Sequence, residues 1–512
     1  MIMVQGISSP QLPRRTIVAS SALVAVIFSL LLTTPFVRAQ TLTTLYSFCG
    51  HRACSSGKLP ASLIQATDGD FYGAAYTGGP NRNVICSGNQ TAAGCGTLFK
   101  ITPGGKLTTL YAFCSELDCT DGALPAASLL QATNGDLYGT TVFGGSNNNG
   151  TIFRLSPSGK LTTLYEFCSQ PGCTDGARPN SALIQAADGL LYGTTSGDGI
   201  NTYGTVFGIT PRGALTTLYR FCTRPSCTDG AFPRAALIQA TNGDLYGTTE
   251  SSGTDPLHGG TVFKITPSGK LTTLYTFCSQ PDCTDGNSPQ AALTQANDGN
   301  LYGTTYEGGT GGDGTIFEIT PSGRLTTVYS FYGLDGGVDG ANPLGTLTQA
   351  TNGDLYGTTP SGGTVGGGVV FELTPSGVLT TLYNFCSGNP SCPDGIAPAG
   401  TLIQATNGTL YGTASSGGEG FNGGTIFALD VGLGAFVALQ TASGDVGATV
   451  TILGTDLTGA SSVTFNGASA TFSVNSTGTA IVATVPTGAT TGAVQVVTPN
   501  GTLQSNVIYR VN

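Results

Sequence analysis

Fourteen cysteines are the residues of this 512-residue chain with the clearest capacity for chemistry. Twelve fall in six close pairs and two lie in an insertion: Cys49/Cys54, Cys114/Cys119, Cys168/Cys173, Cys222/Cys227, Cys278/Cys283, Cys386/Cys392 and Cys86/Cys95. A further copy of the same segment, Phe331 to Gly340, has lost both partners together. We therefore expect each pair to form its own disulfide. The alternative is zinc, which needs four ligands per site, whereas the pairs fall in different repeats and only His51 and His258 exist.

An aspartate followed by glycine recurs shortly after these segments: Asp121, Asp175, Asp229, Asp285, Asp339 and Asp394. A ring of such carboxylates could hold a cation. We favour an Asx turn that leads into the next strand, with the glycine supplying the unusual backbone dihedral. The sequence therefore predicts a structural role for these aspartates.

The sequence contains few of the residue combinations that are typical of active sites. A serine triad needs a histidine oriented by an acid, and the two histidines are scattered with no G-x-S-x-G motif. A glycosidase needs two carboxylates at a set separation, which separate loops could supply. We predict no enzyme activity, no cofactor and no resident metal, and keep an extracellular carbohydrate-active hydrolase or lyase as the alternative. The net charge of −10 and the lack of a basic stripe argue against a nucleic-acid partner.

Three motifs recur along the chain and define a repeat. The motif L-T-T-L-Y-x-F carries Tyr46, Tyr111, Tyr165, Tyr219, Tyr275, Tyr329 and Tyr383. The motif [LF]-Y-G carries Tyr72, Tyr138, Tyr192, Tyr246, Tyr302, Tyr356 and Tyr411. The motif G-[TV]-[LIV]-F ends at Phe99, Phe153, Phe207, Phe263, Phe317, Phe371 and Phe427. Most successive copies are 54 residues apart, as from Tyr111 to Tyr165.

Each repeat reads as four antiparallel strands, a to d. In one copy the strands are Ala236–Ala240, Leu245–Thr249, Gly260–Thr266 and Leu271–Phe277, joined by Asn-Gly and Pro-x-Gly turns. We expect no helix after residue 40. The chain begins with a lone d strand, Thr41 to Phe48, and the last repeat stops after strand c. The prediction is an all-β fold, a seven-bladed β-propeller of four-stranded blades closed by the N-terminal strand.

Two repeated side-chain sets have structural interpretations. The tyrosines and phenylalanines are expected to form the core between blades. Strand a carries a glutamine in every copy: Gln65, Gln131, Gln185, Gln239, Gln295, Gln349 and Gln404. These glutamines could bind a ligand along the axis, but we favour hydrogen bonds to neighbouring backbone.

The connections differ between the two faces of the predicted propeller. The a–b and c–d turns are short and nearly identical, whereas the d–a loops with the cysteines and the b–c loops are long and variable and should share the opposite face. Loops on a rigid scaffold are the usual location of binding. Candidate binding residues on this face are Arg82, Tyr203, Asp255, His258, Tyr306, Glu307, Glu419 and Phe421.

The N-terminus has the features of a secretory signal peptide, residues 1–39. Arg14 and Arg15 precede an apolar run, Ile17 to Leu32, and Val37-Arg38-Ala39 resembles a cleavage site. The alternative is an uncleaved membrane anchor. After cleavage we expect no transmembrane segment and a secreted or cell-surface protein, with the periplasm as another compartment that permits disulfides.

The repeat pattern ends near residue 432, and residues 434–512 contain five or more short predicted strands, which suggests an Ig-like β-sandwich. Gly444 to Gly454, Val463 to Gly467 and Val496 to Gly501 resemble an IPT/TIG domain. The propeller region, residues 40–432, with D-G-[DN]-L-Y-G-T-T and G-T-[IV]-F-x-[IL]-T-P-S-G, resembles the GloVer (Gloeo/Verruco) tandem repeat of exported bacterial proteins. This resemblance supplies no catalytic residues.

The sequence thus favours a non-catalytic binding or adhesion scaffold. Its partner would be an extracellular ligand, either a glycan or a surface protein. A purely structural role in the envelope is the third hypothesis.

Overall fold

The structure, a computed structural model, describes residues 40–50, 54–87, 94–197, 203–252, 259–332, 337–387, 391–419 and 423–512. The predicted signal peptide, residues 1–39, lies outside this range. So do His51, Asp255, His258 and Phe421.

The described repeats form seven four-stranded antiparallel sheets, in the strand order a-b-c-d. Sheet 1 is β2 (Lys58–Gln65), β3 (Phe71–Thr77), β4 (Thr97–Ile101) and β5 (Leu107–Ala112). Sheet 2 is β6 (Leu130–Gln131), β7 (Leu137–Thr141), β8 (Thr151–Leu155) and β9 (Leu161–Glu166). Sheet 3 is β10 (Ile184–Gln185), β11 (Leu191–Thr195), β12 (Thr205–Ile209) and β13 (Leu215–Arg220). Sheet 4 is β14 (Ile238–Gln239), β15 (Leu245–Thr249), β16 (Thr261–Ile265) and β17 (Leu271–Thr276).

The remaining repeats continue the pattern. Sheet 5 is β18 (Thr294–Gln295), β19 (Leu301–Thr305), β20 (Thr315–Ile319) and β21 (Leu325–Ser330). Sheet 6 is β22 (Thr348–Gln349), β23 (Leu355–Thr359), β24 (Val369–Leu373) and β25 (Leu379–Asn384). Sheet 7 is β26 (Ile403–Gln404), β27 (Leu410–Ala414), β28 (Thr425–Asp430) and the leading strand β1 (Thr41–Ser47). The predicted pairing of the leading strand is present, because Thr41 faces Asp430 and Ser47 faces Thr425 in an antiparallel ladder.

The glycine of each L-Y-G motif makes room for an aromatic ring within its own sheet. Gly247 on strand b faces Phe263 on strand c. A Cβ at Gly247 would lie 2.7 Å from Phe263 Cζ and 2.8 Å from Leu237 Cδ2. The ring therefore packs directly over the glycine backbone, which is how an aromatic side chain compensates for a glycine in a strand.

Aromatic pairs join each sheet to the next. The phenylalanine that ends strand d packs edge-on against the strand-c phenylalanine of the following sheet, as in Phe167–Phe207 at a centroid distance of 5.3 Å. The same contact links sheet 7 to sheet 1 through Phe48 and Phe99, at 5.4 Å. All four rings are fully buried. The predicted core role of the repeated aromatics therefore holds for these phenylalanines.

The expectation of no helix after residue 40 is wrong. A short helix, α1, spans Val84–Ser87 in the insertion, and single 3-10 turns occupy four of the cysteine segments: Leu117–Cys119, Pro171–Cys173, Pro225–Cys227 and Pro281–Cys283. A chain that returns on itself within five residues must turn tightly, and the central residue of each of these turns adopts positive φ, for example 68° at Gly172. Proline at the first position of three of these turns already has the required φ.

The C-terminal region forms two sheets around one core. One sheet contains β29 (Ala438–Leu439), β31 (Thr449–Leu453), β35 (Ala480–Thr484) and β34 (Phe472–Val474). The other contains β30 (Ser443–Gly444), β37 (Gly501–Val511), β36 (Gly492–Thr498), β32 (Ser462–Phe465) and β33 (Ala468–Ser469). Ile452 and Ile481 of the first sheet are buried with Val494, Val496 and Tyr509 of the second.

This C-terminal pair of sheets contacts the a–b turns of the repeats, and both belong to one compact unit. Thr479 Oγ1 donates a 2.7 Å hydrogen bond to the carbonyl of Thr67, in the a–b turn of sheet 1. Gln440 Nε2 donates to the carbonyl of Gln131 in sheet 2, and Thr406 of sheet 7 bonds Thr455. The C-terminal sheets therefore sit on the short-turn side of sheets 7, 1 and 2.

Candidate binding face

The d–a and b–c loops meet on one side of the repeats, as predicted. In sheet 2, Gly145 of the b–c loop donates its backbone N–H to the carbonyl of Cys119, at 3.0 Å. Gly309, in sheet 5, makes the same bond to Cys283, at 2.9 Å. The two sets of loops therefore form one surface, which we call the loop face.

Seven disulfides occur in the described chain, and they join the same cysteines that the sequence pairs: Cys49–Cys54, Cys86–Cys95, Cys114–Cys119, Cys168–Cys173, Cys222–Cys227, Cys278–Cys283 and Cys386–Cys392. Both cysteines of a repeated pair have positive φ, for example 61° at Cys168 and 52° at Cys173. Such backbone is unfavourable for a non-glycine residue. The disulfide is one of the contacts that hold the loop in this conformation.

The second contact is a buried carboxylate. Asp175 Oδ2 accepts hydrogen bonds from the Tyr165 hydroxyl at 2.8 Å and from the backbone N–H of Ser169 at 2.9 Å. Asp175 is 2% exposed. Its partners precede it in the chain, so the predicted Asx turn into the next strand is wrong. The carboxylate instead reaches back across the disulfide loop, to the Tyr165 hydroxyl on strand d and to the Ser169 N–H that follows the strand. The glycine after it does adopt positive φ, 97° at Gly176.

In one repeat the tyrosine bond occurs without a disulfide, and in another a serine replaces the aspartate. In the segment that lacks cysteines, the Tyr329 hydroxyl still donates to Asp339 Oδ2, at 2.7 Å. In the first segment, Ser56 stands where the other repeats have aspartate, and the Tyr46 hydroxyl donates to Ser56 Oγ at 3.0 Å beside the Cys49–Cys54 disulfide. The tyrosine bond and the disulfide are therefore separable. We call the tyrosine–aspartate contact the loop clamp.

The clamp changes the acidity of its tyrosines. Burial, together with the neighbouring Asp394 carboxylate, raises the pKa of Tyr383 to about 12. Burial and a carboxylate also raise the pKa of Tyr111, Tyr165, Tyr219, Tyr275 and Tyr329. The phenols therefore stay protonated and donate to these carboxylates at neutral pH.

The strand-a glutamines bond neighbouring backbone, which is the role we favoured. Each Oε1 accepts from the first backbone N–H of the preceding sheet's a–b turn at 2.8 to 3.0 Å: Gln131 from Thr67, Gln185 from Thr133, Gln239 from Ala187, Gln295 from Thr241, Gln349 from Asn297, Gln404 from Thr351 and Gln65 from Thr406. Several Nε2 groups donate to their own turn, as Gln295 does to Gly299. These amides therefore join the sheets.

The predicted binding residues that the structure describes lie on the b–c connections of different sheets. Arg82, Glu307 and Glu419 are exposed. Tyr203 instead packs against Phe232, with ring centroids 6.0 Å apart, and belongs to the core between sheets 3 and 4. Tyr306 is partly buried. Among the described candidates, the exposed side chains are therefore the charged Arg82, Glu307 and Glu419, which lie on three different sheets.

A cavity that the sequence did not indicate lies on the opposite, short-turn side. Its volume is about 250 Å³, and it is lined by Asp298, Tyr302 and Glu318 of sheet 5 and by Gln349, Gly353 and Pro375 of sheet 6. The Tyr302 hydroxyl donates to Asp298 Oδ2 at 2.9 Å, and Asn300 Nδ2 donates to Glu318 Oε1 at 2.6 Å. The sequence contains no signal for this cavity, because sheet 6 carries a glutamate, Glu372, at the same strand-c position as Glu318.

These features define a propeller-like repeat protein with several disulfides. The chain belongs to the Gloeobacter/Verrucomicrobia repeat family, whose model matches residues 83–296 and 259–481. No curated protein sequence matches it. In the described residues, no helix combines the length and apolar character that a membrane crossing requires.

A solved structure supports the fold. The chain is similar to a fungal alcohol oxidase of the AA5 family in complex with copper, with 13% identity over 92% of this chain and 98% of that chain and a TM-score of 0.51. It is also similar to the extracellular domain of a hybrid two-component system from B. thetaiotaomicron, with 12% identity over 88% of this chain and 52% of that chain and a TM-score of 0.48. At these identities the similarity speaks for fold alone.

Proposed function

We propose that this protein is an exported, non-catalytic binding scaffold whose loop face recognises an extracellular glycan or surface protein. In this proposal the seven sheets are the blades of a closed propeller. The C-terminal sheets are an Ig-like domain of the IPT/TIG type, which acts as a spacer or as a second contact.

The observation behind the proposal is that the loop face combines two parts. The hydrogen bonds that anchor the d–a loops recur between repeats, whereas the side chains of the b–c loops vary. Asp121 and Asp285 make the same bonds in different repeats, to Tyr111 and Tyr275. The b–c loops above them differ, with Phe143-Gly-Gly-Ser146 in sheet 2 and Glu307-Gly-Gly-Thr310 in sheet 5. A rigid framework that carries loops of different sequence is an arrangement that favours binding.

Loops of equal length allow a sharp test. The b–c loop of sheet 5, residues 306–314, and that of sheet 6, residues 360–368, both have nine residues and share Gly-Gly-Thr at their centre. Giving sheet 5 the loop sequence of sheet 6 removes Tyr306, Glu307 and Asp313 while the turn is kept. The control gives sheet 6 the nine-residue loop of sheet 2, residues 142–150.

Purified variants would be assayed on a glycan array and on cell surfaces, with circular dichroism and thermal unfolding to check folding. We expect binding without turnover, and its loss in at least one folded b–c loop exchange. Binding that survives the exchange of every b–c loop would exclude the loop face. A folded protein that binds nothing would favour the purely structural role.

The cavity between sheets 5 and 6 favours a second candidate, a carbohydrate-active hydrolase or lyase, because Asp298 and Glu318 place two carboxylates on its wall. A panel of glycan substrates would test this with the wild type, Asp298→Asn and Glu318→Gln. Turnover that either substitution abolishes would replace the scaffold proposal. Turnover that both variants retain would place catalysis elsewhere.

A further inference from the structure

Two of the seven disulfides lie against each other. The Cys86–Cys95 bond belongs to the insertion in the b–c connection of sheet 1, and the Cys114–Cys119 bond belongs to the loop between sheets 1 and 2. Cys86 Sγ and Cys114 Sγ are 3.7 Å apart, and all four Sγ atoms lie within 4.8 Å of one another. The premise that the pairs stand apart in different repeats is therefore wrong for these two. We call them the four-cysteine cluster.

The spacing of the four sulfurs is close to that of a tetrahedral metal site. Zinc binds thiolates at about 2.3 Å, which places tetrahedral sulfur ligands about 3.8 Å apart. The 3.7 Å between Cys86 Sγ and Cys114 Sγ matches this distance, and the two sulfurs of each disulfide would move apart by side-chain rotation once their bond is opened. Tetrahedral all-sulfur sites select zinc and related soft ions.

The cluster is also held from outside. Cys95 is 1% exposed and Cys119 is fully buried. The cluster is part of a core with Leu98 and Phe113. The backbone of Leu124 donates a 2.9 Å hydrogen bond to the carbonyl of Cys95, which fixes the insertion to the next sheet. Packing and backbone bonds would therefore keep the sulfurs together when the disulfides are open.

We propose that the reduced form of the four-cysteine cluster binds one zinc ion, so that this corner of the loop face exchanges a metal for two disulfides. A dithiol or phosphine reductant supplies two electrons for each disulfide, four electrons in total, and four protons produce four thiols. Zinc then binds four thiolates and the four protons are released. A disulfide oxidant accepts these four electrons, two for each bond restored and two oxidant molecules in all, and is itself reduced to thiols, while the zinc ion is released.

The test uses the full chain, reduced with a phosphine and titrated with cobalt, which reports tetrahedral thiolate ligation by its visible absorption. We expect one tightly held equivalent per chain. The double variant C86S/C95S should lose that equivalent, whereas C168S/C173S, which removes an isolated pair, should keep it. Zinc should displace the cobalt and raise the unfolding temperature of reduced wild type but not of C86S/C95S.

Equal binding by C86S/C95S and wild type would overturn the proposal, as would a reduced, folded wild type that binds no cobalt. If reduction unfolds the chain, the test is whether the chain refolds in reductant when zinc is added. Recovery of folded protein with one zinc supports the site, and recovery without zinc or no recovery overturns it.

Discussion

The side-chain oxygen Oε1 of Gln65 accepts a hydrogen bond from the backbone N–H of Thr406 at 3.0 Å, across 341 positions of the chain. Equivalent hydrogen bonds link all the remaining pairs of consecutive sheets, as between Gln239 and Ala187. Sheets 7 and 1 also share one core, in which Phe48 and Ile426 pack with Leu63 and Phe99. The two ends of the repeat array are therefore in contact through the bonds that neighbours in sequence use.

This relationship predicts a measurable cost for two substitutions, with the larger cost for Gln239→Ala because Gln239 Nε2 also donates to the carbonyl of Gly243. Gln65→Ala and Gln239→Ala each remove one intersheet hydrogen bond and leave a backbone donor without that partner, which should lower the free energy of unfolding by about 1–3 kcal/mol. Urea unfolding of both variants measures this. A negligible effect of Gln65→Ala beside a clear effect of Gln239→Ala would show that the contact between the array ends is absent in solution.

The loop clamp and the disulfide should support each other. In oxidised protein, Asp175→Ala removes the acceptor of Tyr165 and Ser169 and should destabilise by about 1–3 kcal/mol. Because reduction of the disulfide loosens the loop that the clamp must order, Asp175→Ala should lower the free energy of unfolding by a smaller amount in reductant. Coupling of neighbouring contacts is commonly about 0.5–3 kcal/mol.

Asp339→Ala is the matched control, because its segment contains no cysteine. Its cost should be the same with and without reductant in chemical unfolding experiments. A cost of Asp175→Ala that ignores reductant would show that the clamp and the disulfide act independently.

Stability should fall at alkaline pH in a defined window. The pKa of Tyr383 rises from 10.0 to about 12 in the folded protein, through burial and the Asp394 carboxylate. A raised pKa means that the folded state holds the Tyr383 proton more strongly than the unfolded state does. The resulting contribution to the free energy of unfolding is complete below pH 10 and is lost as the pH rises towards about 12. Tyr383→Phe should flatten the fall, as followed by unfolding experiments and phenolate absorbance. An identical slope in that variant would contradict the assignment.

The strand-b glycines should not tolerate a methyl group. In Gly247→Ala the new Cβ would overlap Phe263 and Leu237, and such overpacking typically costs about 1–3 kcal/mol. Thermal unfolding would measure the loss. Thr272→Ala, at an exposed position of strand d in the same sheet, is the control and should change stability by less than about 0.5 kcal/mol. Equal stability of both variants would mean that Phe263 moves aside freely.

The strands of this protein follow from local sequence. The predicted strand Leu245–Thr249 is present with the same bounds. Turn residues fix where such strands begin and end, and alternation of side chains fixes which face is buried. Strand a was predicted too long, since only Ile238–Gln239 of Ala236–Ala240 pairs with its neighbour.

The sequence by itself determined the repeat, the pairing of cysteines within each segment and the presence of two sets of loops, because all of these depend on residues close along the chain. Only the tertiary structure decided that Asp175 reaches back to Tyr165 and that Cys86 lies against Cys114. It also decided that the C-terminal sheets contact the turn at Thr67 and that a cavity lies between sheets 5 and 6. These contacts depend on how whole sheets pack, and sequence spacing carries no information about the distance between surfaces that only folding brings together.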